Sequence, residues 1–306
     1  MLKARDKTVA ILVPCKNEAL TIRDVVEGFR RAVPGCTVHV YDNNSTDETA
    51  QIAREAGAIV ARETRPGKGN VVRRMFAEID ADIYVMVDGD NTYDAAGANA
   101  LIARLIGDGA DMVVGARAGV GDKHQRKGHA FGNRAFNFLY SRLFGQEFSD
   151  IFSGYRAFSR RFVKSFPAVS AGFEIETELS VHASQLRLPV AEIALPYGDR
   201  PEGSHSKLST LRDGARILKT IVVLLKEYKP LYFFGAIGLA GALLAVALAL
   251  PLAVEYAQTG LVTRLPTAIL CTGIMIVSML SMTAAVILDS IRRMRAEIKR
   301  MFYNLT

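Results

Sequence analysis

Tryptophan is absent from this 306-residue chain, and cysteine is nearly so. Cys15, Cys36 and Cys271 stand far apart, without the spacing of a metal site or a disulfide framework, which fits a reducing environment better than a secreted one. The stretch from Met1 to Lys7 is charged and runs straight into a strand pattern, so it lacks the apolar core of a secretory signal. No G-x-x-x-x-G-K-[ST] spacing occurs, which removes P-loop nucleotide hydrolysis. The formal charge of +7 comes without a basic helix interleaved with aromatics. Nucleic acid is therefore not expected, and anionic lipid or a phosphorylated substrate remain as partners. With half of its residues apolar, the chain is not disordered and has room for one sizeable domain plus a smaller element.

What is present begins with alternation. Short apolar runs read as strands over 8–14, 37–41, 58–61, 83–87 and 112–115, and amphipathic stretches between them read as helices over 20–32, 46–56, 69–79 and 95–106. Strand and helix taking turns predict a wound α/β sheet.

From Leu231 to Val254 the chain becomes almost wholly apolar and uncharged, and Leu265 to Leu288 repeats the pattern. Each stretch exceeds the roughly 20 residues needed to cross about 30 Å of hydrocarbon, so a two-helix transmembrane hairpin is expected. Lys219, Lys226 and Lys229 precede the first span, and Arg292, Arg293, Arg295, Lys299 and Arg300 follow the second; the connecting loop holds only Arg264 and Glu255. That bias predicts both ends in the cytosol. Between the two parts, residues 207–230 alternate leucine, isoleucine and valine with Arg212, Arg216, Lys219 and Lys226, as expected of a helix resting in the headgroup layer. Gly235, Gly238, Gly241 and Ala242 give the first span a small-residue face suited to close helix packing, including a homo-oligomer.

The chemistry concentrates at strand ends. The apolar run Ile83 to Val87 leads into Asp88-Gly89-Asp90, which puts two carboxylates where a parallel sheet opens its ligand crevice. Hard oxygen ligands of this kind suit Mg²⁺ or Mn²⁺ carrying a diphosphate. Aspartate and glycine also form ordinary turns, and Thr92 or Asp94 can equally cap the helix that follows. Strand one ends in Pro14-Cys15-Lys16-Asn17-Glu18 and strand two in Asp42-Asn43-Asn44-Ser45-Thr46-Asp47, polar groups able to bind a base and ribose. Asn44 or Ser45 reads singly as a helix N-cap. Gly67-Lys68-Gly69-Asn70 opens a helix with a glycine loop, a natural place for donors near phosphate.

In this order, the pieces Val-Pro-Cys-Lys-Asn-Glu, Asp-Asn-Asn-Ser-Thr-Asp, Asp-Gly-Asp, Val-Gly-Ala-Arg117, Asp150-Ile-Phe-Ser-Gly-Tyr-Arg and Arg200 with Ser206-Lys207 resemble one family. It is that of inverting family 2 glycosyltransferases of GT-A fold, in the branch similar to dolichyl-phosphate mannose synthase and bacterial polyprenyl-phosphate glucosyltransferases. The likeness runs from about Val9 to Lys207. It implies that Pro14, Glu18 and Asp42 hold the nucleoside, that Asp88 and Asp90 hold the metal, and that Arg117, Arg126, Arg200 and Lys207 surround the phosphates, with Asn44, Lys68 and Gly89 also expected to contact the donor. Two positions depart from the family. Thr92 stands where relatives often carry glutamine, and Ala130 where some place a serine, so that His129 or Asn133 would have to substitute.

The resemblance implies a cytosolic GT-A catalytic domain over 1–206, an interfacial helix over 207–230, two spans over 231–288 and a basic tail over 289–306. The expected activity is transfer of one sugar from a UDP- or GDP-linked donor to a polyprenyl phosphate at the cytosolic face of the inner membrane. Asp90, Arg117, Arg200 and Lys207 are the expected catalytic groups. A lipid phosphate is already largely ionised near neutral pH, with a second pKa of roughly 6, so no base is required. Glu174, in Gly172 to Glu178, reads equally as a sugar ligand, a base or a helix-terminal residue. Two other readings stay in view. A processive polysaccharide synthase usually carries a Gln-x-x-Arg-Trp motif and many spans, against no tryptophan and two spans here. A non-catalytic membrane-anchored binding module would have no need to gather Asp88, Asp90, Arg117, Arg200 and Lys207.

Overall fold

A computed structural model of the chain describes residues 7–118, 140–142, 148–167, 175–198, 222–223 and 225–305. They fall into two compact units, 1–214 with 299–306, and 215–298.

The first unit is built on a seven-stranded sheet of order β3-β2-β1-β4-β6-β5-β7. Its strands are β1 (Val9–Cys15), β2 (Thr37–Asp42), β3 (Ile59–Arg62), β4 (Ile83–Met86), β5 (Met112–Ala118), β6 (Arg156–Ser159) and β7 (Val190–Pro196). The helices are α1 (Ile22–Ala32), α2 (Thr49–Glu55), α3 (Lys68–Glu78), α4 (Gly97–Gly107), α5 (Arg160–Ser165) and α6 (Ile175–Leu186). Helix α1 shows why such elements form: Ile22, Val25, Val26 and Phe29 recur at helical spacing, bury one face and leave the charged residues outside. It stops at Val33, before Pro34 and a left-handed Gly35. Ile11, Val13, Val26, Phe29, Val85 and Tyr155 lie in the resulting core, each fully or almost fully buried, at about 1.5–3 kcal/mol for each large apolar side chain.

Strands β3, β2, β1 and β4 are parallel, as a wound sheet requires. The sheet is nevertheless mixed: β6 runs antiparallel to both β4 and β5. Nothing in the alternation of the sequence announces β6, because it is four residues long and begins with a charged side chain that is fully buried. That residue, Arg156, gives Nε to Ser153 O (2.9 Å), Nη1 to Ser180 Oγ (2.8 Å) and Nη2 to Ile151 O (2.5 Å). It thereby ties the loop ahead of β6 to α6. Burial pulls its guanidinium below the ordinary range, against the opposing pull of Glu176 and Asp150. Helix α6 also buries His182, which shares a hydrogen bond with Ser165 Oγ (3.0 Å) and packs edge-on against Phe162 and Phe166. Burial, with Lys299 nearby, lowers His182 to a pKa of about 3.

Asp111, just ahead of β5, is completely buried and collects Arg161 Nε (2.6 Å), Ser159 Oγ (2.6 Å) and Tyr303 Oη (2.7 Å). Arg300 Nη2 reaches Leu186 O at 3.0 Å. Residues 299–305, the end of the basic tail, are therefore helical and packed within the first unit.

The second unit holds α7 (Pro230–Thr259) and, as far as Ile298, α8 (Leu265–Leu305), two helices long and apolar enough to cross a bilayer, joined after a left-handed Gly260. Leu239, Leu243, Leu250, Ile276 and Leu280 are exposed on them, a surface suited to lipid rather than water. Gly238 and Gly241 face inward. A Cβ at Gly238 would meet Ser278 O at 2.8 Å and Met282 Cγ at 2.7 Å, and one at Gly241 would strike Ser278 Oγ. Ser281 Oγ donates to Phe234 O at 2.9 Å. The small-residue face is thus occupied by the hairpin's own second helix, and a Cβ at Gly235 would meet nothing. Of the juxtamembrane segment, 222–223 and 225–228 are helical, and 207–221 and 224 lie outside the described residues.

Candidate active site

The loops after β1, β2 and β3 are laced mostly by neutral side chains, with the Asp47 carboxylate also taking Ala19 N–H on Oδ2 (3.2 Å). Asn17 N–H donates to Ser45 Oγ (2.9 Å), Thr46 N–H to Asn17 Oδ1 (2.8 Å) and Glu18 N–H to Thr49 Oγ1 (2.9 Å). Asn43 gives Nδ2 to Glu63 O (3.0 Å) and Arg65 O (2.7 Å), and takes Gly67 N–H on Oδ1 (2.7 Å). Asn17 and Asn44 adopt left-handed backbones, φ 54° and 59°, which asparagine tolerates better than most residues. Ser45 and Asn44 therefore join loops together and do not cap α2, whose first turn takes its acceptor from Asp47 Oδ1.

Strand β4, fully buried between β1 and β6, delivers Asp88-Gly89-Asp90 beside these loops. Thr21 Oγ1 donates to Gly89 O at 2.7 Å and pins the turn. Gly89 is required there, since a Cβ would lie 2.6 Å from Cys15 Sγ. A Cβ at Gly154 would lie 2.5 Å from Asp88 Oδ2, so the glycine leaves that carboxylate its place. Buried Asp90 accepts Thr92 Oγ1 (2.6 Å) and Thr92 N–H (3.2 Å) on Oδ1. Thr92 thus orients that carboxylate.

Cys15 reports how closely the acids gather. Burial first, then the negative charges of Glu18, Asp88, Asp42 and Asp90, push its thiol well above the ordinary range. Four of the expected carboxylates therefore converge around the end of β1, where Pro14 pairs with Tyr41 and Cys15 with Asp42 in register. Lys68 joins them. Its Nζ lies 2.5 Å from Asp88 Oδ1 and 2.5 Å from Glu176 Oε1, with only 9% of the side chain exposed. Burial would lower the ammonium, but the two carboxylates outweigh it and hold Lys68 well above its usual value.

Arg117 is brought near by a different route. Its guanidinium forks onto Asp150, Nε to Oδ2 at 2.6 Å and Nη2 to Oδ1 at 2.8 Å, and lies 5.4 Å over the ring of Tyr197. Burial opposes the charge, and Asp150 more than offsets it, so Arg117 is held above its ordinary range. Tyr93 links this group to the acidic turn: its hydroxyl accepts Gly154 N–H (3.2 Å), and its ring packs against Tyr155 and Tyr197. Arg126, Arg200, Lys207 and Glu174 lie outside the described residues, as do His129, Ala130 and Asn133.

Three contributors escape a reading of the sequence: Glu176 as the second anchor of Lys68, Gly154 as the floor under Asp88, and Thr92 as the orienter of Asp90. The Ser-Gly-Tyr run offered a signal for Gly154, whereas Glu176 was one of several glutamates with nothing local to single it out. Among the described residues no three His, Cys, Asp or Glu groups are arranged to hold a metal. The Asp88/Asp90 pair still fits a hard divalent cation that completes its shell with water and substrate oxygens, and an ammonium already sits against Asp88.

A mixed sheet with acids gathered at the carboxyl ends of its parallel strands defines a GT-A glycosyltransferase domain. The chain belongs to Glycosyl transferase family 2, whose pattern matches residues 10–166. Glycosyltransferase AglJ of Haloferax volcanii is 37% identical over 254 residues, covering 81% of this chain and 82% of the relative. A dolichyl-phosphate hexose transferase of the same organism is 29% identical over 214 residues, 70% of this chain and 92% of that protein. Among solved structures, glucosyl-3-phosphoglycerate synthase from Mycobacterium tuberculosis is similar with a TM-score of 0.59 and 26% identity, over 72% of this chain and 80% of that one. The same enzyme has been crystallised with Mn²⁺, UDP-glucose and phosphoglyceric acid, in a structure 25% identical with a TM-score of 0.59.

Proposed function

We propose that this glycosyltransferase moves one sugar, with inversion, from a UDP- or GDP-linked donor to a polyprenyl phosphate at the cytosolic face of the inner membrane. The observation that carries the reading is the Asp88-Gly89-Asp90 turn gathered with Glu18, Asp42 and Lys68, in a chain that also bears two membrane-length apolar helices. A relative named for dolichyl phosphate supports the acceptor, and the Mn²⁺ and UDP-glucose complex of a neighbour supports the donor and the metal.

In this scheme Pro14, Glu18, Asp42 and Asn44 face the nucleoside on loops already fixed by their mutual hydrogen bonds. Bound Mg²⁺ or Mn²⁺ on Asp88 and Asp90 supplies Lewis-acid neutralisation of the departing diphosphate. Lys68 adds a positive charge beside Asp88, and the resemblance to the family assigns Arg126, Arg200 and Lys207 to the phosphates as well. Arg117, held by Asp150, keeps the floor of the phosphate site in place. The acceptor phosphate arrives ionised, its second pKa being roughly 6, so the site need only align its oxygen behind the anomeric carbon. Lys226, Lys229, Arg292, Arg293, Arg295, Lys299 and Arg300 flank the apolar helices, and the positive-inside rule supports both ends facing the cytosol.

The test is transfer of radiolabelled sugar into organic-extractable lipid by purified protein, with Mg²⁺ or Mn²⁺, a polyprenyl phosphate and a panel of nucleotide sugars. Labelled lipid from one donor is the expected result. Folded protein that labels no lipid from any donor removes the proposal, and a polymeric product replaces it with a processive synthase.

A further inference from the structure

The Lys68 ammonium already occupies Oδ1 of Asp88, one of the two carboxylates that would ligate the metal. Asp88 is enclosed from two directions, by Lys68 at Oδ1 and by the Gly154 backbone near Oδ2, where even a Cβ would come within 2.5 Å. A bare divalent cation approaching Asp88 must push against a neighbouring positive charge. Glu176 is the asymmetric partner: its side chain is 6% exposed against 33% for Asp88, so it holds the ammonium from the buried side while Asp88 faces the cleft.

We propose that Lys68 is an internal counter-ion that occupies Asp88 until metal and diphosphate arrive together, and that Glu176 then keeps it at the site. A nucleoside diphosphate reverses the conflict, because its oxygens accept both the metal and the ammonium released from Asp88. Metal and nucleotide binding are therefore coupled, and by linkage each strengthens the other by the same factor. Glu176 acts through Lys68 and is a positioning residue. This inference rests on the metal site of the proposed function and adds the order in which that site fills.

The experiment is Mn²⁺ binding to the full chain in detergent, followed by electron paramagnetic resonance, with and without UDP or GDP and corrected for metal–nucleotide complexes in solution. The wild type should bind Mn²⁺ about tenfold more tightly with its nucleotide than alone. Lys68→Gln should bind free Mn²⁺ about tenfold more tightly than the wild type, with the coupling factor falling toward one. Lys68→Arg, which keeps the charge, should still suppress free-metal binding. Glu176→Gln, which leaves the ammonium to Asp88 alone, should weaken free-metal binding further and raise the coupling factor, whereas simple loosening of the fold would weaken Mn²⁺ binding alike with and without nucleotide. Thermal unfolding confirms that each variant is folded, and Lys68→Arg with Glu176→Gln carries the test if Lys68→Gln is not. Mn²⁺ binding only with nucleotide, but no gain of free-metal affinity in Lys68→Gln and no loss in Glu176→Gln, overturns the counter-ion role alone. No Mn²⁺ binding under any condition overturns both this inference and the metal site beneath it.

Discussion

The two halves of the sheet are stitched by different chemistry. On the β1, β2 and β3 side, neutral amides and hydroxyls of Asn17, Asn43, Ser45 and Thr49 join one loop to the next. On the β6, β5 and β7 side, charged groups do this work: Arg117 with Asp150, Arg156 with two carbonyls and a hydroxyl, and Asp111 with Arg161. The difference lies in how each side fails. An exposed neutral bond such as Asn17 to Ser45 is replaced by water when lost, whereas a buried charge or its orphaned partners find nothing. Strand β4 is the seam, paired with β1 on one side and β6 on the other, and it carries Asp88 and Asp90 at its end.

The largest effect should fall at the seam. Asp90→Ala is expected to lower sugar transfer by about 10²–10³-fold with the thermal midpoint little changed, measured as labelled lipid per folded protein. Arg156→Met tests the charged half: it takes the guanidinium donor from Ile151 O and Ser153 O, leaves Ser180 Oγ only its bond to Glu176 O, and should cost about 3 kcal/mol in denaturant unfolding. A loss under about 1 kcal/mol would erase the contrast between the halves.

A pH dependence sharpens the same side. His182 titrates near 3 when folded and near 6.5 when unfolded, so between those values the unfolded chain holds the extra proton and stability rises with pH. From pH 6.5 down to pH 5 the wild type should lose about 2 kcal/mol on this account, and His182→Gln should lose that part of the slope. The smallest effect belongs to the neutral half. Ser45→Ala removes one exposed acceptor for Asn17 N–H and should cost under about 1 kcal/mol in the same assay.

The contrast also explains what a reader of the sequence can see. Strands β1, β2 and β4 are apolar runs that end in polar residues, so both the elements and the acids at their tips stand out locally. Asp88 and Asp90 are legible because two carboxylates end a buried strand. Strand β6 is not, because Arg156 sits inside it and its burial depends on acceptors contributed by α6 and the preceding loop. Glu176 is invisible for the same kind of reason: its partner Lys68 lies 108 residues away and belongs to another helix. The two membrane-length helices were the easiest to find, since length and absence of charge suffice, although α8 runs on past the apolar stretch to Leu305.

The thiol of Cys15 offers a practical consequence. It is sealed under Gly89, 3% exposed, and its ionisation is suppressed by the acids around it, so an alkylating reagent should find it inert while the turn stays shut. Labelling that site over time in the intact enzyme would therefore act as a clock for how often the turn lifts, and a bound nucleotide that clamps the turn should slow the clock.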